Sequence, residues 1–154
     1  MPDLILAHDL GTTGNKASLF DGQGGVVASA FSPYPTAYPA PGWAEQSADE
    51  WWQAIGSTSR ALLQQERARP SDVAVVSFSG QMMGCLPLGA DDRPLRPALI
   101  WADQRATAEA ELLAERLGAE TVYRITGHRA SAAYIAAKVL WLRSHQPELM
   151  AHAR

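Results

Sequence analysis

The chain has 154 residues, of which 47% are hydrophobic and 19% charged, so it can bury a sizeable core and is not of the disordered class. Its net charge of −3 provides no basic surface, and we therefore expect neither nucleic acid nor a membrane as a partner. No apolar run approaches the length that spans a bilayer, and the single cysteine, Cys85, excludes an intrachain disulfide and is typical of a reducing cytoplasm.

The beginning of the chain predicts three consecutive antiparallel strands. Apolar runs cover about residues 3–8, 15–20 and 26–31, and the glycine-rich segment 21–25 predicts the hairpin between the second and third strands. Residues 32–46 contain four prolines, which exclude a helix, so we expect an extended loop there.

A helix and a buried strand are predicted next. Ser47 and Glu50 form a capping-box pattern at the start of a helix that ends before Pro70. Five large residues of this helix are expected on its buried face: Trp51, Trp52, Ile55, Leu62 and Leu63. Residues 73–78 are continuously apolar, which predicts a parallel strand that is central in the sheet and buried on both faces.

The last part of the chain predicts short strands and two helices. The strands cover residues 85–88 and 98–101, and the helices cover about residues 104–117 and 132–145. Asp103 is placed to cap the first helix, and Ile135, Val139 and Leu142 mark the buried side of the second. Three antiparallel strands followed by a helix and a parallel strand are typical of the start of a ribonuclease H-like α/β fold.

The segment that follows the first strand carries the clearest chemical signal. Asp9 closes the strand, and Gly11, Thr12 and Thr13 form a tight turn whose N–H groups and hydroxyls can lie against a phosphate. Asp9 could hold Mg²⁺ through water, because that ion prefers oxygen ligands and keeps much of its hydration shell. The segment is not a Walker P-loop, since a strand rather than a helix follows it. An ordinary hairpin turn is the alternative interpretation.

Six segments of the chain resemble the FGGY carbohydrate kinases, and most closely the xylulokinase-like members. In chain order they are residues 9–13, 41–46, 51–52, 79–82, 96–105 and 138–142. They fall in the family's order and spacing over nearly the whole chain. The resemblance implies a ribonuclease H-like domain of the actin-like ATPase superfamily, with three antiparallel strands followed by parallel strands and flanking helices.

The resemblance also implies an activity and a domain organisation. Residues 1–154 are expected to be most of the N-terminal, sugar-binding domain of a two-domain kinase, with the nucleotide-binding domain and the catalytic base beyond residue 154. The expected reaction transfers a phosphoryl group from ATP, with Mg²⁺, to a hydroxyl of xylulose or a related pentulose. The chain by itself is then expected to be inactive, and the parent protein to be cytoplasmic.

Roles for the phosphate turn follow from the resemblance. Asp9 would orient hydrated Mg²⁺, and Gly11, Thr12 and Thr13 would hold phosphate oxygens. Lys16 stands where some family members have arginine, and it could pair with the phosphates. The alternatives are a turn aspartate at a strand end and a solvated strand lysine.

The loop of Gln81, Met82 and Met83 leaves the carboxyl end of the predicted parallel strand, the usual place for a site in an open α/β sheet. The resemblance places this loop at the sugar. Met83 stands where xylulokinase-like proteins have histidine, which removes an imidazole partner for a sugar hydroxyl and puts xylulose itself in question. Core packing is the alternative for both methionines.

A second loop would contribute Trp101, Asp103 and Arg105 to the sugar site. A carboxylate and a guanidinium can hydrogen-bond sugar hydroxyls, and an indole can stack on a C–H face. The alternatives are that Asp103 only caps its helix and that Arg105 only pairs with Asp103. Lys138 is expected to be structural.

Two other functions stay open at this point. The first is a standalone half-kinase that binds a sugar or a partner without catalysis, and its exposed apolar face would favour a homodimer. The second is a different actin-like ATPase, such as a chaperone or a filament protein. That alternative explains the phosphate turn but not the motifs at residues 42–46 and 101–105.

Overall fold

A computed structural model describes residues 3–154, which fall into two compact units. The sheet unit consists of the residues up to Thr36 together with Ala48–Gln81, and the helical unit consists of Ala37–Ser47 and Met82–Arg154. None of the helices within residues 3–154 has both the length and the apolar character needed to cross a bilayer.

The secondary structure runs in the following order. The strands are β1 (Leu4–Leu10), β2 (Gly14–Phe20), β3 (Val26–Pro33), β4 (Glu45–Gln46), β5 (Val73–Gly80) and β6 (Ala98–Leu99). The helices are α1 (Ala48–Gln65), α2 (Thr107–Leu117), α3 (Ala119–Thr126), α4 (Ile135–His145) and α5 (Pro147–Ala151), and a 3-10 turn lies at Pro70–Asp72.

The sheet unit has the strand order β3-β2-β1-β5, with β1, β2 and β3 antiparallel and β5 parallel to β1. This arrangement agrees with the three antiparallel strands and the parallel fourth strand that the sequence predicts. Alternate residues of β1, among them Leu4 and Leu6, are buried in a core that also includes Leu19 and Leu62. Helix α1 contributes to that core and therefore covers one face of the sheet.

The position of β5 corrects one prediction. β5 lies at the edge of the four-stranded sheet rather than at its centre, and it is exposed along nearly its whole length. Val75 and Val76 are each 51% exposed and Phe78 is 55% exposed. The apolar run at residues 73–78 correctly indicates a strand, but a local run of apolar residues does not indicate whether another element covers that strand.

Helix α1 corrects a second prediction. It buries Leu62, as predicted, together with Ala54 and Thr58, whereas Trp52 is 73% exposed rather than buried. Two of the three buried residues, Ala54 and Thr58, are small. The size of the tryptophan side chain is therefore a poor indicator of the buried face.

The helical unit joins a two-stranded antiparallel ribbon, β4 with β6, to four helices. Its core contains Leu99, Ala110, Trp141 and Leu142. The predicted strand at residues 85–88 is present only as isolated bridges, such as the one between Cys85 and Leu99.

The helix boundaries also differ from the sequence prediction. Helix α2 begins at Thr107, and α3, which was not predicted, follows directly after Gly118. Gly118 adopts a φ of 80°, which allows the sharp change of direction between the two helices. Helix α4 ends at His145 before Pro147, as predicted, but Ile135 is 50% exposed rather than buried.

Candidate active site

The predicted phosphate turn connects β1 to β2 in the sheet unit. The Gly11 N–H donates to the Gly14 carbonyl over 3.0 Å, which closes the turn. A Cβ atom at position 14 would lie 2.6 Å from the Ser32 carbonyl oxygen and 2.5 Å from a ring carbon of Phe31. Glycine is therefore required at position 14, because a residue with a Cβ atom would collide with β3 at this distance.

Tyr34 holds the turn through two hydrogen bonds, a role that the sequence did not reveal. Its hydroxyl donates to the Gly11 carbonyl over 2.5 Å, and its N–H donates to the Thr13 carbonyl over 3.3 Å. Burial, with a smaller effect of the Asp9 charge, raises the pKa of Tyr34 to about 12, so the hydroxyl remains a donor. The only signal in the sequence is an aromatic residue between two prolines, Pro33 and Pro35.

Asp9 and Lys16 are exposed and lie directly opposite each other on β1 and β2. Ser79 of β5 is the neighbour of Asp9 on the other side. These three residues line an open cavity of about 330 Å³ on one face of the sheet, together with Ser77. A carboxylate, an ammonium group and hydroxyls are thus available near the carboxyl ends of β1 and β5.

These residues fit a hydrated magnesium ion rather than an enclosed one. Within residues 3–154 there is no group of three or more acidic, histidine or cysteine side chains that could surround a metal. The exposed Asp9 carboxylate can instead bind the water shell that Mg²⁺ keeps.

Gln81 lies at the same edge of the sheet as the phosphate turn. Its N–H donates to the Leu10 carbonyl over 2.9 Å and so continues the pairing of β1 with β5 by one residue. The structure therefore brings Gln81 close to the turn residues, as the prediction of a site at the strand ends requires.

Met82 and Met83 line a second cavity, of about 460 Å³, within the helical unit. We refer to it as the methionine cavity. Helix α3 and the segment before α4 form much of its wall, and Val122, Tyr134 and Ile135 are among the lining residues. Met82 is 74% exposed, and Met83 has a φ of 65°, a left-handed conformation that is uncommon for a residue with a side chain. The cavity has the size of a small-molecule site and a mostly apolar wall.

Asp103 and Arg105 form a buried ion pair. The Asp103 side chain is fully buried, and the Arg105 Nη2 donates to it over 2.7 Å. Asp103 also accepts from the Ala44 N–H over 2.7 Å. It does not cap α2, whose first residue follows Ala106 without a side-chain cap, so the prediction of a capping role is wrong.

The ion pair belongs to a larger cluster that sequence reasoning did not find. Arg105 also donates to Glu45 over 2.7 Å, and Glu45 in turn pairs with Arg96. The Arg105 guanidinium lies 3.7 Å from the centre of the Trp43 ring, an arrangement typical of a cation–π contact. All these residues come from the motifs at 41–46 and 96–105, which are therefore linked by structure.

Trp101, unlike Asp103 and Arg105, reaches solvent. Its side chain is 43% exposed, so its indole has an accessible part. Trp101 is not among the described residues that line the methionine cavity. The second predicted loop is thus divided into one exposed aromatic residue and a buried ion pair.

Known proteins match both the sequence and the structure. Residues 4–154 match the N-terminal domain of the FGGY family of carbohydrate kinases. The xylulose kinase of Escherichia coli K12 is 39% identical over 146 residues, which are 95% of this chain and 29% of that protein. A glycerol kinase of Nostoc sp. PCC 7120 is 36% identical over 139 residues, which are 90% of this chain and 28% of that protein.

The structural comparison leads to the same family. The crystal structure of a xyloylose kinase from Brucella ovis matches with a TM-score of 0.92 at 32% identity, over 98% of this chain and 31% of that chain. This agreement confirms the ribonuclease H-like, actin-like fold. The chain spans about 30% of the length of these proteins. Because the family match extends from residue 4 to residue 154, the chain belongs to the FGGY family of carbohydrate kinases.

Proposed function

We propose that these residues are the sugar-binding domain of a two-domain kinase that transfers a phosphoryl group from ATP to a hydroxyl of a small polyol or sugar. Membership of the FGGY family supports this activity. Similar proteins carry the names xylulose kinase and glycerol kinase, so they support a polyhydroxylated substrate in general. Xylulose or a related pentulose is the substrate class that we propose to test first.

The observation that carries the proposal is the exposed Asp9 carboxylate at the end of β1, next to a turn that Tyr34 holds in place. Phosphoryl transfer requires mainly positioning and neutralisation of charge. In our proposal Asp9 holds a hydrated magnesium ion, which would supply positive charge at the phosphates when bound. Lys16 adds a second positive charge opposite Asp9.

The backbone of the turn supplies the remaining phosphate contacts in this proposal. Gly11, Thr12 and Thr13 lie between two strands, and their N–H groups and hydroxyls are the donors that phosphate oxygens accept. The bond from Tyr34 to the Gly11 carbonyl makes the turn rigid before ligand binds. A preformed turn loses little conformational freedom on binding.

For the sugar we propose contacts from Gln81, Met82 and Met83, with Trp101 as a stacking surface. Asp103 and Arg105 are left out of this contact set, because both side chains are enclosed and already bonded to each other. Their role in the proposal is to hold the loop that carries Trp101. With methionine at position 83 in place of histidine, the site has one polar contact fewer for a sugar hydroxyl.

The deciding experiment is a coupled ADP-release assay on the protein at its full natural length, over a panel of pentuloses, hexuloses and polyols. We expect turnover on one class of sugar. Asp9→Asn should lower kcat by at least about 100-fold, because it weakens the charge that holds the hydrated ion. Asp3→Asn is the matched control: Asp3 is also exposed and directly precedes β1, and we expect less than about a twofold change.

Other outcomes would contradict the proposal. An Asp9→Asn variant with nearly full turnover would exclude the role of Asp9, and turnover by residues 1–154 alone would exclude the need for a second domain. An intact mass equal to that of this chain, with sugar binding but no turnover, would favour a binding module.

The oligomeric state and the location are further parts of the proposal. The same mass measurement, made under native conditions, tests the proposed homodimer. We propose a cytoplasmic location, where ATP is supplied.

A further inference from the structure

Lys138 is the most unusual buried residue of the helical unit. It lies on α4 with no exposed surface, although an isolated ammonium group is costly to remove from water. Within residues 3–154 no carboxylate oxygen lies within 4 Å of its Nζ atom. Its hydrogen bonds instead reach two backbone carbonyls, that of Met83 over 2.9 Å and that of Ala133 over 2.5 Å.

These two carbonyls belong to two different segments at the methionine cavity. Met83 is part of the wall, and Ala133 lies between two other lining residues, Ser131 and Tyr134. The two carbonyls are 50 positions apart in the sequence, and one ammonium group joins them. Lys138 therefore connects the methionine loop to the segment that precedes α4.

The backbone of Met83 needs such a connection. Its φ of 65° costs a residue with a side chain about 1–2 kcal/mol relative to a right-handed conformation. A loop residue stays in that conformation only when its surroundings hold it there. The bond from the Lys138 Nζ to the Met83 carbonyl is a direct restraint on this peptide group.

We propose that Lys138 is a positioning residue that fixes the Met83 backbone, and thereby the part of the cavity wall that Met83 forms, without touching the substrate. This inference rests on the proposed function only in so far as the cavity is the sugar site; the restraint on Met83 can be measured by itself. A purely structural lysine would change stability but not the conformation of this loop or the affinity for substrate.

The charges around Lys138 make the restraint dependent on pH. Burial lowers the pKa of Lys138 to about 8, with Asp103 and Cys85 acting to raise the pKa and Arg105 acting to lower it. Above that pH the neutral amine is a weaker donor to the two carbonyls. We therefore expect the loop to loosen as the pH rises through this value.

The test uses the full-length protein with ¹³C-labelled methionine methyl groups. Substitution of leucine at positions 82 and 83 assigns the two loop resonances, and Met150 on α5 serves as an internal reference. We expect the Met83 resonance to shift with a midpoint near pH 8 in the natural protein. In Lys138→Leu, which adds no labelled methionine, the Met83 resonance should be displaced and independent of pH. A Met83 resonance that is identical in the two proteins would overturn the proposal.

Kinetics provide the second readout. With the sugar that the panel identifies, Lys138→Met should raise KM about tenfold and change kcat by less than about twofold, because the residue shapes the site but does not contact the reacting groups. Arg143→Met, an exposed cation on the same helix, is the matched control and should change neither. Unchanged kinetics in Lys138→Met would contradict the role.

The two readouts separate this inference from the proposed function. If no sugar is turned over, the proposed function fails while the methionine resonances still decide whether Lys138 holds Met83. If neither Lys138→Leu nor Lys138→Met folds, Lys138→Arg, which keeps a positively charged donor but changes its reach and shape, decides the question. A displaced Met83 resonance in that variant supports the restraint, and an unchanged one contradicts it.

Discussion

The two units bury polar side chains in different ways. In the sheet unit, a neutral cluster consists of His8, Asn15 and Thr58, which are all at least 98% buried. The Asn15 Nδ2 donates to the His8 Nδ1 over 3.0 Å and to the Thr58 Oγ1 over 2.8 Å. In this way β1, β2 and α1 are joined without any formal charge.

In the helical unit, an ionic cluster consists of Glu45, Arg96, Asp103 and Arg105. Two carboxylates and two guanidinium groups are joined by charged hydrogen bonds, and the Arg105 side chain is 1% exposed. The cluster connects β4 to the segment around β6 and the start of α2.

The difference follows from how the backbone of each unit is organised. In the sheet unit, long strands satisfy most backbone groups, and a few neutral hydrogen bonds are enough to fix α1 on the sheet. In the helical unit, β4 and β6 have two residues each, so side chains must hold these segments. Arginine suits this task because its planar group can bond several partners at once.

The largest effect should come from breaking the ionic cluster. Asp103→Ala leaves the buried Arg105 with less compensating charge, and we expect it to lower the free energy of unfolding by about 3–5 kcal/mol. Urea denaturation of the protein measures this change. The matched control is Asp91→Ala, because Asp91 is 66% exposed and pairs with the exposed Arg93; we expect less than about 1 kcal/mol. Equal losses of unfolding free energy in both variants would show that the buried ionic cluster stabilises the fold no more than an exposed ion pair does.

Breaking the neutral cluster should have a smaller effect. Asn15→Ala removes the donor to His8 and Thr58 and leaves both buried groups without that bond, so we expect a loss of about 1–3 kcal/mol. Ser18→Ala on the same strand is the control, since its hydroxyl bonds the Ser29 hydroxyl at an exposed position. If Asn15→Ala is as costly as Asp103→Ala, the distinction between the two clusters is wrong.

The smallest effect concerns the pH dependence of the neutral cluster. Burial lowers the pKa of His8 below 6.5, against a smaller opposite effect of the bond with Asn15. The unfolded chain then binds this proton more readily than the folded one, so stability should fall as the pH decreases below 6.5.

Thermal unfolding at several pH values checks this dependence. His8→Gln should reduce the slope by at most about 1.4 kcal/mol per pH unit, the limit for one proton, whereas the exposed His152→Gln should leave it unchanged. A natural protein that becomes more stable as the pH is lowered through this range would contradict the assignment of His8.

Local patterns in the sequence determined much of the fold. Apolar runs, the glycine-rich segment 21–25 and the prolines of residues 32–46 predicted β1 to β3 and the loop that follows. These signals act between neighbours in the chain, so the sequence contains them directly. The turn of Gly11, Thr12 and Thr13 after Asp9 was predicted in the same way, and its proposed phosphate role awaits the kinase assay.

Only the tertiary structure decided which of these side chains are enclosed. The sequence suggested that Trp52 and β5 are buried and that Asp103 caps a helix, whereas the structure exposes the first two and pairs Asp103 with Arg105. It also showed that Lys138 contacts the Met83 carbonyl. Burial and pairing depend on contacts with segments that are distant in the sequence, and a local pattern does not indicate which distant segment will pack against it.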